Sequence, residues 1–187
     1  TPQVRKRAII RMYKKGVVWP WPRKFEKKIT VREAIGSLPS IEAGEKSAIK
    51  WHFGRNHNTN QVQWMKHTAT GHSAFENDVY FPKKQSGEPV KGYLSSYRRI
   101  KWDEPAPTIT IRNDAISSQR NVHPGRLKEN GTYSDARVLS ILEIMRLTGL
   151  PDDWPVPEDT PEILIRQIIG ECIPPLLVEA LVKEISE

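Results

Sequence analysis

The chemistry open to this 187-residue chain rests on few side chains: one cysteine, five histidines and a group of arginines near the amino terminus. Cys172 lies in the stretch from Arg166 to Ile185, RQIIGECIPPLLVEALVKEI. A nucleophilic cysteine needs a base or a cation nearby to form thiolate. Glu171 works against that, Ile173 is apolar, and only the helix start implied by Pro174 and Pro175 works for it. A small, half-buried residue ahead of a helix fits Cys172 better. His52, His57, His67 and His72 fall in a loop-like region whose RNHNTN stretch (55–60) invites comparison with His-Asn-His nucleases. No acidic ligand cluster accompanies them, so polar loop side chains are the simpler expectation, and no metal site is assigned. Gln3, Arg5 and Arg7 alternate, which in a strand sets all three on one face, suited to phosphates and base edges. A solvated strand edge fits that pattern equally well.

Composition narrows the classes. A single cysteine excludes an internal disulfide framework and a CxxC zinc site. No apolar run approaches the roughly 20 residues of a membrane span, and the amino terminus lacks a signal-peptide core. No membrane partner is therefore expected, and a reduced, cytosolic location follows by default. The balance of 29 Lys and Arg against 22 Asp and Glu gives a net charge of +7, concentrated in residues 5–28. A basic front and an acidic last forty residues suggest a one-sided surface for a polyanion, with nucleic acid ahead of lipid.

These residues need elements to position them. Residues 4–18 (VRKRAIIRMYKKGVV) read as a strand that leaves a buried sheet and turns at Gly16. Trp19, Pro20, Trp21 and Pro22 then mark a linker or boundary. Thr30 and Glu33 form a capping box, so a short helix is expected from Val31 to about Gly36. Residues 50–92 show no sustained period and read as loops and short strands. Thr108 to Ile111 alternates like a half-buried strand. Ser140 and Glu143 form a second capping box, opening a helix to about Leu147 that stops at Gly149 with Pro151 beyond. Pro174 and Pro175 open a last helix, with Leu177, Val178, Leu181 and Val182 making an apolar stripe.

The order of three segments carries a family resemblance. QVRKR (3–7), ARVLSILEIMRLTGLPDDW (136–154) and IIGECIPPLL (168–177) resemble the last three blocks of bacterial-type DNA (cytosine-5-)methyltransferases. The first is similar to that family's Gln-x-Arg-x-Arg block. The second resembles Arg-x-Leu-Thr-x-x-Glu…Arg-Leu-x-Gly-x-Pro-Asp, with Ser140 in place of threonine and Leu142 where arginine is frequent. The third resembles Gly-Asn-x-Val-Pro-Pro, with Glu171 and Cys172 where Asn-Ala is commonest. PAPTIT (105–110) and NVHPGR (121–126) are similar to the approach to the second block. The family's Gly-rich cofactor loop, Pro-Cys nucleophile block and Glu-Asn-Val block have no match here.

The resemblance implies an α/β fold: the C-terminal portion of a Rossmann-like S-adenosylmethionine-dependent methyltransferase, carrying a small, irregular, mostly-β target recognition domain. Residues 1–18 would end the catalytic domain. Residues 19–160 would form the recognition domain, including the capped helix 141–148, and 161–187 would return to the catalytic domain as the C-terminal helix. In the implied chemistry a cytosine is flipped out of the duplex, a thiolate adds to carbon 6, and carbon 5 takes the methyl group. The nucleophile and the glutamic acid would come from a missing N-terminal half, on the same longer chain or a separate subunit, and the chain alone is expected to be inactive. Arg5 and Arg7 would meet the flipped cytosine and its phosphate. DNA contacts are expected from Gln3, Thr108, Thr110, Arg112, Arg126 and Arg137. Gly170, Glu171, Cys172 and Ile173 would border S-adenosylmethionine. The partner is then double-stranded DNA, the setting a bacterial cytosol and nucleoid with a restriction-modification role. A stand-alone DNA-binding module is the alternative; it explains the charge but not the order of the blocks. A metal-dependent nuclease built on the 52–72 histidines comes third.

Overall fold

Apolar side chains collect around one short helix. The computed structural model describes residues 1–157 and 159–185. Helix α1 spans Val31–Ile35, α2 Thr59–Lys66, α3 Ile141–Thr148, α4 Glu162–Glu171 and α5 Pro175–Val182. In α3 the Ser140 hydroxyl accepts from the Glu143 amide, and the Glu143 carboxylate accepts from the Ser140 amide at 2.7 Å. That reciprocal cap is the one expected from the sequence. The helix stops at Gly149, whose φ of +83° is a left-handed cap that favours glycine. Every α3 residue except Arg146 is buried. Helix α1 packs on one side through Val31 and Ile35, and α4 on another through Ile165 and Ile169. Ile100, Trp102, Ala106, Ile109, Leu139 and Leu150 complete this core. A smaller cluster gathers Met65 of α2 with Ala74, Ile116, Val122, Ala136 and Val138.

Among the described residues, the region between α1 and α3 holds no extended sheet. It is loops pinned by isolated β-bridges, such as Ser73–Arg98, Ser96–Gln119, Arg99–Val122 and Val122–Val138. Four elements depart from the expectations, helix α2 within the supposed loops of 50–92 among them. The supposed strand at Thr108–Ile111 is not formed; Thr108 instead donates its hydroxyl to the Val4 carbonyl at 3.0 Å. The segment 4–18 is not a strand either. A short parallel pairing of Pro2–Val4 with Ala106 holds its start, Gly16 turns it as anticipated, and Ile10 and Met12 lie exposed. Among the described residues of 161–187 there are two helices rather than one, broken at Cys172–Pro174. EILIRQIIGE has apolar residues around much of its circumference, which hid α4; α2 was hidden because TNQVQWMK lacks an apolar stripe. No described helix is long and apolar enough to cross a membrane.

Candidate nucleic-acid interface

Buried arginines build the frame of the site. Arg99 is 1% exposed and donates to the carbonyls of His123, Met65, Ser134 and Asp135 at 2.7–3.1 Å. Burial lowers its pKa to about 10, which still leaves it cationic at neutral pH. Arg137, fully buried, forms bonds to both Glu143 carboxylate oxygens at 2.8 and 2.9 Å, to Asp135 at 2.8 Å and to the Ile41 carbonyl. Burial opposes ionisation of Glu143, but Arg137 and the Ser140 amide more than offset it and pull the pKa to about 2. Arg166 of α4 ties down the approach to α3, bonding Leu139 and Asn113 and reaching Glu162 at 2.7 Å. Two neutral histidines complete the frame. The Nδ1 atom of His123 accepts from the Gly125 amide, and the Nε2 atom of His57 accepts from the Val138 amide.

This frame corrects two DNA contacts expected from the sequence. Arg137 has no surface to offer, because its guanidinium closes the α3 cap from inside. Arg126 is committed as well: it bonds Asp135 and the carbonyls of Gly36 and Leu38, and lies over the Trp102 ring. A guanidinium suits a buried carboxylate as well as a phosphate, so residue type alone could not separate the two uses.

A cleft of about 720 Å³ opens where the amino-terminal segment meets the loops between α1 and α3. Lys6, Arg98, Lys101 and Arg120 supply its positive charge, and Ser95, Thr108, Thr110 and Gln119 its hydrogen-bonding groups. Thr108 and Thr110 were anticipated; the four basic residues and Gln119 were not. They are scattered over more than a hundred positions and share no local pattern. Arg112, also anticipated, is exposed beside the loop, 3.3 Å from Asp114.

Residues 3–6 alternate in facing, with the opposite sense to that expected. Val4 and Lys6 face the cleft. Gln3 is buried at 7% exposure, so it is not a surface contact, and its amide atoms have no partner among the described residues. Arg5 turns toward α4, donating to the carbonyls of Gly170 at 2.8 Å and Ile109 at 3.2 Å. Burial, then the charge of Arg7, lowers its pKa. Arg7 is exposed and bonds only the Lys6 carbonyl.

Residues 170–173 follow directly. Gly170 is buried, and a Cβ there would stand 2.5 Å from the Thr110 carbonyl oxygen, so only glycine fits. Cys172 is half-buried, with Glu171 and Ile173 exposed beside it. Burial pushes the thiol pKa up, Arg5 only partly opposing it, so Cys172 is a thiol and not a thiolate at neutral pH. The remaining histidines lie elsewhere. His52 bonds Ser140 within the frame, whereas His67 stacks on Tyr80 at 3.8 Å beside His72 in a separate cavity of about 390 Å³. Among the described residues no three His, Cys, Asp or Glu side chains group as a metal site.

The QVRKR segment thus borders a basic cleft through Val4 and Lys6 and holds the IIGECIPP turn through Arg5. The chain belongs to the C-5 cytosine-specific DNA methylase family, whose model matches residues 1–187. It is 70% identical over 185 residues to the Type II methyltransferase M1.HgaI of Avibacterium volantium, covering 99% of this chain and 52% of that protein. It is 28% identical to the Type II methyltransferase M1.HphI of Haemophilus parahaemolyticus, over 98% of this chain and 44% of the relative. The Type II methyltransferase M.AquIB of Picosynechococcus is 29% identical over 67% of this chain and 90% of its own length. The chain thus spans about half the length of the first two relatives, whereas the match takes in nearly all of the third.

Proposed function

We propose that this chain is the target-reading, C-terminal portion of a DNA (cytosine-5-)methyltransferase, acting with an N-terminal half that carries the nucleophile. One observation carries the proposal. Successive residues of a single segment serve two sites, Val4 and Lys6 lining the basic cleft while Arg5 between them clasps the Gly170 carbonyl. A duplex in the cleft would so be coupled through the backbone to the turn at Gly170–Ile173. We assign residues 1–18 and 161–187 to the catalytic domain and 19–160 to target recognition.

In this scheme Lys6, Arg98 and Lys101 hold phosphates, Thr108 and Thr110 approach the duplex, and Arg7 stands free to meet the extruded nucleotide. Gly170, Glu171, Cys172 and Ile173 form one wall of the S-adenosylmethionine site. The features there fit such a wall: a glycine that allows close backbone approach, a small neutral thiol and an exposed carboxylate. S-adenosylmethionine supplies the electrophilic methyl group. Arg5 keeps the 170–173 turn in place, and Cys172 packs rather than attacks. A catalytic half as partner is supported by the apolar surface left bare: no α5 residue is buried, and Leu176 and Val178 are exposed.

The test is transfer of labelled methyl from S-adenosylmethionine to duplex DNA. The chain alone should bind duplex and transfer nothing; adding the N-terminal half of a 70%-identical relative such as M1.HgaI should restore transfer. Transfer by the chain alone, or failure to bind duplex at low salt, would overturn the proposal.

A further inference from the structure

We infer that Arg120 is the residue of the cleft that reads a guanine edge, with Lys6 confined to the phosphates. This rests on the cleft taking duplex DNA, as proposed above. The basic side chains of the cleft are not equivalent. Arg98 reaches Glu76 at 3.4 Å and donates to the Leu94 carbonyl, and Lys101 reaches Glu104 at 2.6 Å. Arg99 is locked in the frame. Among the described residues, the side chains of Lys6, Gln119 and Arg120 alone in this lining set are exposed, have no partner in the chain and carry a polar head long enough to enter a groove.

Arg120 is set apart by its backbone. Its φ is +44°, in the left-handed region where a non-glycine residue costs the fold on the order of 1 kcal/mol. Neighbours impose that conformation. The Arg120 amide donates to the Ser95 carbonyl at 2.9 Å, and Gln119 bridges Ser96 antiparallel. Ser96 is held in turn, its amide by the Tyr93 carbonyl and its own carbonyl by the Ser73 hydroxyl at 2.8 Å. Tyr97, next along, is wedged edge-on between Trp64 and Phe75. Glycine would adopt this backbone without strain, so arginine destabilises the turn, and no hydrogen bond, ion pair or aromatic contact of its side chain offsets that. A guanidinium on a stiffly held turn suits the O6 and N7 acceptors of guanine, which need a fixed fork. The single ammonium of a lysine suits a phosphate, which needs no fixed fork.

The experiment is selection from a duplex pool randomised over ten base pairs, read position by position, for the wild-type protein and for Arg120→Gly, Arg120→Ala and Lys6→Ala. The wild type should enrich one motif. Both Arg120 variants should lose a guanine preference of about 10- to 100-fold at one position and keep the others. Arg120→Gly should melt no lower than wild type, since glycine suits the turn, which separates lost reading from lost fold. Lys6→Ala should weaken retention of all sequences alike and reduce the salt slope by about 1. An unchanged motif in both Arg120 variants, or a base preference lost with Lys6, would overturn the inference while leaving the cleft as the DNA site. A wild-type protein that retains no duplex, or enriches no motif, would instead overturn the assignment of the cleft, and this inference with it.

Discussion

Arg137 shows how much one buried side chain carries. Its guanidinium neutralises Glu143 and Asp135 and also bonds the carbonyls of Ile41 and Val138. Replacing it with alanine strands Glu143 in the core and leaves Asp135 with Arg126 as its arginine partner, and the cost should be about 3–5 kcal/mol, measured by urea unfolding. A cost below about 1 kcal/mol would show that the pair is solvated. Cys172→Ala in the assembled enzyme should change the methyl-transfer rate by no more than a few-fold; a loss of about a thousand-fold would make the thiol a participant. The histidines govern acid sensitivity. His57 and His123 are held neutral mainly by burial, with pKa values lowered to about 4 and about 3 from 6.5. Between those values and 6.5 the unfolded chain binds protons that the folded chain refuses. Their contribution is therefore complete above pH 6.5 and is lost as pH falls toward 4 and then 3. Glu143 adds a second loss between 4.5 and about 2. Unfolding midpoints should be level from pH 7 to 8 and drop below 6.5. His57→Gln, which keeps an acceptor for the Val138 amide, should remove about 1–2 kcal/mol of the drop between pH 6.5 and 4, allowing for its partial exposure.

At the scale of elements, α3 is the hub because its cap does two jobs. The Ser140 hydroxyl terminates the helix and also meets His52 at 3.0 Å. Ser140→Ala should cost about 1–2 kcal/mol, more than an isolated cap near 1. The coupling of α4 to the 109–111 loop depends on Gly170 in the same direct way. A methyl group there meets backbone atoms of Thr110 and Ile111 at 2.5–2.7 Å, and backbone cannot swing aside as a side-chain tip would. Gly170→Ala should therefore destabilise by about 1–3 kcal/mol and disturb the Arg5 clasp, seen as weaker S-adenosylmethionine binding in the assembled enzyme. Unchanged stability would mean that α4 and the loop separate freely.

For the molecule as a whole, charge and exposed apolar surface point to two different partners. In the proposed scheme the basic residues of the cleft, Lys6 with Arg98, Lys101 and Arg120, meet DNA. The bare faces of α5 and of Ile10 and Met12 suit protein instead, consistent with a chain spanning about half of M1.HgaI. If about five cations meet phosphates, the logarithm of the DNA affinity should fall with the logarithm of salt at a slope of about −4 to −5. A flat response would assign the charge to something other than nucleic acid.

Local signals were sufficient wherever neighbours in the chain decide the outcome. Thr30 with Glu33 and Ser140 with Glu143 announce helix starts, Gly149 announces a stop, and the order of QVRKR, ARVLSILE and IIGECIPP points to the family. Those patterns act through backbone hydrogen bonds over three or four residues, so they can be read without the fold. Tertiary structure alone decided which arginines are inside. Arg99, Arg137 and Arg166 are chemically identical to Arg98, Arg112 and Arg120, and what separates frame from surface is burial together with carbonyls brought from distant segments, such as Met65 to Arg99, Ile41 to Arg137 and Leu139 to Arg166. It also decided the facing of residues 3–7, because the Gly170 carbonyl that captures Arg5 lies 165 positions away.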